Sequence, residues 1–289
     1  MSNLSRRFIL TLVLLTVMMA GSVKLCAVRI HCSEDSIKVM EIMTDVSDKG
    51  GSLGDRMLTT ALLMQGIKTG GSSDNDSIGT VMVNLHTFDP LDFINQVFAI
   101  AKTAGMASPS FEIYKKELES ISRRKGEDKG FPSKLFYGAD WIVDNVFRGN
   151  LQEMTEYFTG GGFKTKTLDH LSRNREQYPA LKDSASYENV KMMEMGYRSH
   201  RIPHMKKQSI SNKQLHQQMN NGDIIMMLAP DADYDIYDIG VIEIIDGQPY
   251  LIHLNKELGE VSEDPYPASR LFKIGGQHFY GYRWLRPAQ

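Results

Sequence analysis

Hydrophobic positions along the chain fall into three regimes. Residues 8–20 form one uncharged apolar run of thirteen residues. Beyond it, the first half of the chain repeats its apolar positions at the three-to-four spacing of helices, and the last quarter changes to the short apolar runs of strands. Residues 53–65 place Met57, Ala61 and Met64 on one face. A second helix is predicted to start at Ser108, with Pro109 at the first helical position, Glu112 as capping-box partner, and a stripe of Phe111, Tyr114, Leu118 and Ile121. Residues 140–147, with Trp141, Val143, Val146 and Phe147, make a third. Later, residues 223–228 read as a buried strand, and 239–245 and 250–254 flank a hairpin turn, Asp246-Gly247-Gln248-Pro249. Residues 279–285 close the chain as a strand carrying Phe279, Tyr282 and Trp284. Helices first and an antiparallel sheet afterwards predict an α+β fold.

A further helix, starting near residue 89, is the most informative segment. Asp89 suits an N-cap, Pro90 the first helical position, and Asp92 the first turn where the helix dipole favours an acid. Phe93, Ile94, Val97, Phe98 and Ala101 continue it at helical spacing. Glycine-rich interruptions at Gly50-Gly51, Gly70-Gly71 and Gly160-Gly161-Gly162 are short, as loops within one domain are.

Composition narrows the classes. Of 289 residues 42% are hydrophobic and 24% charged, which is globular, and 33 basic against 35 acidic side chains leave a net charge of −2. With no basic surplus to neutralise phosphates, a nucleic-acid partner is not expected. Arg6 and Arg7 ahead of the apolar run make the pattern of a signal peptide, and thirteen residues fall short of the ~20 that cross a bilayer. Ala20-Gly21-Ser22 places cleavage near Ser22, so residues 1–22 are expected to be a signal peptide, 23–36 a flexible segment, and 37–289 a single domain. The mature protein is expected in the periplasm or cell envelope, with no stable transmembrane segment. Cys32-Ser33-Glu34-Asp35 is reminiscent of a lipoprotein tag, but Ile30 and His31 make a poor lipidation box and lipidation is disfavoured. Cys26 and Cys32 both precede the predicted domain.

The segment 83–98 and six shorter ones resemble the N-acetylmuramoyl-L-alanine amidase-like family within the papain-like, NlpC-type cell-wall peptidases. The shorter ones are Gly54-Asp55-Arg56-Met57, Ala139-Asp140-Trp141-Ile142, Tyr178-Pro179-Ala180-Leu181, Arg201-Ile202-Pro203, Gly222-Asp223-Ile224-Ile225 and Gly281-Tyr282-Arg283-Trp284-Leu285-Arg286. The resemblance implies a papain-like NlpC-type fold, with helices packed on an antiparallel sheet or half-barrel. It also implies a thiol hydrolase that cleaves the N-acetylmuramoyl-L-alanine amide of peptidoglycan without metal or cofactor. Pro90 stands where the family has its nucleophilic Cys, Asp238 where it has the general-base His, and His253 matches the orienting His. Asn174 replaces another family His, Asn95 an acid, and Gly66-Ile67-Lys68-Thr69-Gly70 a cleft-shaping stretch. Asp89, Trp141 and Asn174 are the candidate cleft residues.

Thiol hydrolysis needs a thiolate paired to a base, and proline offers no nucleophile. The expectation is therefore a pseudoenzyme that binds peptidoglycan fragments or a partner. The alternatives are an active amidase with a rearranged site and a structural protein of the envelope. Ser72, Ser73 and Asp92 have no motif that supplies a base. Asp231, Asp233, Asp235 and Asp238 lack the glycine and glutamate of a calcium loop and read as a solvated acidic loop. His200, His204 and His216 lie among Arg198, Arg201, Lys206 and Lys207. Pro203 breaks any helical metal pair, which leaves a basic surface loop able to touch an acidic polymer. The seventeen methionines read as core filling.

Overall fold

The structure, a computed structural model, describes residues 33–70, 83–126, 130–157, 161–230 and 234–288. The export segment, both cysteines, Ser72, Ser73, Asp231 and Asp233 lie outside these residues. Helix α1 spans Ser33–Lys49 and so starts ahead of the boundary expected at residue 37. Asp35 explains the early start, because its Oδ1 accepts the Leu85 N–H at 3.0 Å and ties the first turn to the chain before α3. Helix α2 (Leu53–Leu63) opens with a capping box between Ser52 and Asp55. Helix α3 is Pro90–Ala104, α4 Phe111–Ser122 and α5 Gly138–Phe147. The cap of α4 is Ser110 and not Ser108: Ser110 is fully extended and its hydroxyl accepts the Ile113 N–H at 3.3 Å. Ser108 and Ser110 have the same chemistry, and Phe111 is the first residue to turn helical, so the cap falls on its neighbour.

The described residues form one sheet of ten strands. In chain order they are β1 (Lys68–Thr69), β2 (Thr87–Phe88), β3 (Leu151–Glu153), β4 (Gly161–Lys166), β5 (His200–Lys206), β6 (Ile224–Leu228), β7 (Ile236–Ile245), β8 (Gln248–Asn255), β9 (Glu260–Glu263) and β10 (Gly281–Pro287). Across the sheet they run β2-β1-β9-β8-β7-β6-β10-β5-β4, with β3 also paired to β10. Of these pairs only β1–β2 is parallel. The turn between β7 and β8 is tighter than expected. Ile245 pairs with Gln248, Pro249 lies within β8, and only Asp246 (φ 50) and Gly247 (φ 74) turn, both in the left-handed region that a two-residue hairpin requires.

Side chains alternate across the sheet into two cores. Ile239, Val241, Ile252, Leu254 and Val261 join Phe93, Ile94, Val97 and Phe98 of α3 and Trp141 of α5 in the larger. Ile225, Ile242, Leu251 and Trp284 join Ala268 and Phe272 of α9 (Ala268–Ile274) in the smaller. Strand β6 is buried along its whole length because it feeds both. Three further helices, α6 (His170–Arg173), α7 (Ser184–Met195) and α8 (Lys213–His216), complete the α-helices of the described residues. Among those residues no helix is long and apolar enough to cross a membrane. The α+β architecture is as the patterning predicts.

Candidate functional site

Helix α3 begins as the sequence predicts. Asp89 is its N-cap, accepting the Asp92 N–H at 2.7 Å, and Pro90 occupies the first position, where its missing N–H costs nothing. From Phe93 to Ala101 every side chain of α3 is buried, and the polar ones are matched inside. Asn95 accepts the Trp141 indole N–H at 2.8 Å, and Gln96 accepts the Tyr114 hydroxyl. Trp141 is 0% exposed and its N–H is satisfied from within, so it supports α3 and lines no open cleft. Asp89 is half-buried with its carboxylate engaged by the helix.

The residues expected at the second and third positions, Asp238 and His253, meet. Asp238 and His253 belong to adjacent strands, and His253 lies opposite Gly240 in the β7–β8 register, which places Asp238 diagonally across from it on one face. His253 Nδ1 is 2.7 Å from Asp238 Oδ2, and Asp238 Oδ1 accepts the Ile239 N–H at 2.8 Å. Gly240 permits the approach, since a Cβ there would stand 3.3 Å from the His253 Cβ. On the other side of the ring Nε2 is 3.5 Å from Asp264 Oδ2, close enough to attract but making no hydrogen bond. Burial favours the neutral ring, yet the charge and hydrogen bond of Asp238, with Asp264 behind them, outweigh it and raise the His253 pKa to about 9. At neutral pH His253 is therefore an imidazolium held between two carboxylates, with no lone pair for taking a proton.

The register also brings Ser262 of β9 directly opposite His253. Its Oγ is buried without a hydrogen-bond partner among the described residues, as is His253 Nε2. Pro90 is half-buried at the start of a helix whose apolar stripe packs the face carrying Ile239, Val241 and Ile252. Asp238 and His253 alternate onto the opposite face, with Ile242 and Leu251. The structure thus pairs Asp238 with His253 and sets them across the sheet from the stripe of α3.

The pattern defining N-acetylmuramoyl-L-alanine amidase-like proteins matches residues 68–267, most of the chain. The chain belongs to that family. An N-acetylmuramoyl-L-alanine amidase from Bacteroides uniformis has a similar fold, with a TM-score of 0.72 at 21% identity over 83% of this chain and 100% of that one. A Legionella pneumophila protein superposes with a TM-score of 0.65 at 15% identity, over 86% of this chain and 93% of the other. At such identities the likeness is one of fold. No curated protein sequence matches the chain.

The remaining residues singled out in the sequence are built into the framework. Asn174, half-buried, donates to the His170 carbonyl at 2.8 Å and stands 3.1 Å from its Nδ1, while His170 Nε2 is 3.1 Å from both the Tyr178 and Tyr234 hydroxyls. The acidic stretch is not a solvated loop where it is described. Asp235 is buried and accepts the N–H groups of Gly138 and Ala139 at 3.0 and 2.6 Å, capping α5, whose own flanking Tyr137 offers no side-chain cap. Burial pushes its carboxyl upward, against those two N–H groups and Lys166. Gly138 is required there, since a Cβ would lie 2.5 Å from Ile236 Cγ1. The expected basic loop is instead strand β5, with Pro203 opposite Phe163 in the ladder, and burial lowers the pKa of both His200 and His204. His216 is buried, its Nε2 2.6 Å from the Ile210 carbonyl. Among the described residues no three His, Cys, Asp or Glu side chains gather to hold a metal ion. Asp264 and Ser262 carry no signal in the sequence, because β9 reads Glu-Val-Ser-Glu and shows no apolar alternation.

Proposed function

We propose that this chain is an exported, catalytically silent member of the amidase-like family, with the papain-like NlpC-type arrangement, that binds peptidoglycan fragments or an envelope partner. One observation carries the reading. The carboxylate at the base position has both oxygens engaged, one by backbone and one by His253, in a site closed to solvent. A proline at the nucleophile position completes the loss, because acyl transfer to sulfur has no sulfur to begin with. The apolar run 8–20 behind Arg6 and Arg7 supports export to the compartment where peptidoglycan is found.

Residues 23–289 incubated with purified muropeptides are expected to bind by calorimetry and to release no stem peptide from the muramoyl group. Chromatographic detection of free stem peptide, abolished by His253→Ala, overturns the reading. One geometric fact favours a second one, an amidase with a rearranged site: Ser262 Oγ and His253 Nε2 are both unpartnered on directly opposed residues, with Asp238 behind the imidazole. A Ser-His-Asp relay would need these two atoms to bond to each other, which they do not here, so Ser262 would have to shift toward the ring. The relay also needs His253 to be neutral, and the raised pKa opposes that at pH 7. Hydrolysis lost specifically in Ser262→Ala would select it.

A further inference from the structure

A cavity of about 640 Å³ opens where the C-terminal end of α3 meets α2 and the chain after α5, a size that accommodates small-molecule ligands. Lys102 follows Pro90 by 102 − 90 = 12 residues on α3, which is about 18 Å along the axis. The cavity is therefore remote from the family's nucleophile position. Its wall holds three cations, Arg56, Lys102 and Arg148, beside the half-buried Leu53, and no described Asp or Glu lines it.

The cations are not all neutralised from behind. Lys102 pairs with Glu117 at 2.8 Å, and Arg148 with Asp144. Among the described residues Arg56 has backbone partners alone, its Nε donating to the Ala101 carbonyl at 2.8 Å and its Nη1 to that of Gly51 at 2.6 Å. The negative end of α3, equivalent to about half a charge, offsets only part of that surplus. Lys102 donates a second bond to Asn150 Oδ1 at 2.9 Å, which fixes its ammonium against the wall and leaves a third N–H. Arg56 lies across Gly105, where a Cβ would come within 2.3 Å of Nη2, so the missing side chain holds open the space that the guanidinium occupies.

We propose that this cavity is an oxyanion site for a small ligand bearing a carboxylate or phosphate, with the anion between Arg56 and Lys102 and the rest of the ligand against Leu53. A guanidinium edge beside an ammonium suits either group, through charge-assisted hydrogen bonds. The proposal stands apart from the loss of catalysis and does not depend on it.

Residues 23–289 titrated at low ionic strength with sodium phosphate, and separately with sodium succinate, are expected to give a saturable heat with at least one anion. Which anion binds identifies the ligand group. Replacing Arg56 removes two backbone bonds, and Gly105→Ala, whose Cβ would meet the guanidinium, disturbs the same two, so the decisive variant is Lys102→Gln, which leaves both intact. It is expected to weaken binding about tenfold, the loss of one charge-assisted hydrogen bond, with an unchanged circular dichroism spectrum. Gly105→Ala should weaken it similarly. No saturable heat with either anion, or equal affinity in parent and both variants, overturns the proposal.

Discussion

Between Asp238 and Asp264, His253 keeps a proton that an unfolded histidine would release near pH 6.5. Its folded pKa of about 9 lies above that value, so between the two the folded chain binds more protons than the unfolded one. The stability it contributes is complete below pH 6.5 and is lost as pH rises through about 9. Urea midpoints are therefore expected to fall across that window, and His253→Gln should flatten the fall. At pH 7, Asp238→Asn is expected to cost about 1.5–3 kcal/mol, because it removes a charge-assisted hydrogen bond and leaves His253 with Asp264 alone; a denaturation curve reads this directly. Resemblance points to residues 90, 238 and 253, and the proline at 90 is plain in the chain itself. What no linear reading could supply is that the carboxylate of Asp238 bonds to the imidazole of His253. That depends on a strand register set by the Asp246-Gly247 turn and on the room left by Gly240.

Helix ends show where periodicity stops being informative. The apolar stripes of α2 to α5 are visible as spacing, since burial of one face imposes it. The cap of α4 is not, because Ser108 and Ser110 offer equal chemistry and only the backbone chooses. Ser110→Ala is expected to destabilise by about 1 kcal/mol and Ser108→Ala by almost nothing, measured as the difference in chemical denaturation free energy. At α5 the cap comes from Asp235, distant in sequence, which is why a carboxylate that reads as part of a solvated loop is buried. Removing it in Asp235→Ala strands two buried N–H donors, at an expected loss of about 2–4 kcal/mol. The same measurement, compared with Ser110→Ala, ranks the two caps.

Across the molecule, one sheet serves two cores, and each core holds one of the chain's two tryptophans, Trp141 in the larger and Trp284 in the smaller. Because β6 is buried on both faces, neither core can open without exposing the other's floor. In Trp141→Phe and Trp284→Phe variants the remaining indole reports one core each, and its fluorescence transition is expected to coincide with loss of the circular dichroism signal. Separate midpoints within one variant would show that the cores melt independently. The order of strands has a last consequence. Strand β4 ends the row with one flank unpaired among the described residues, yet Lys164 stands in it, and Arg201 of the neighbouring β5 lies over the exposed ring of Phe163 at 4.3 Å. Positive charge on that rim repels a like rim, so crowded copies of the chain are steered away from zipping into fibrils, a safeguard that rests on Lys164 and Arg201 in a protein otherwise near neutrality.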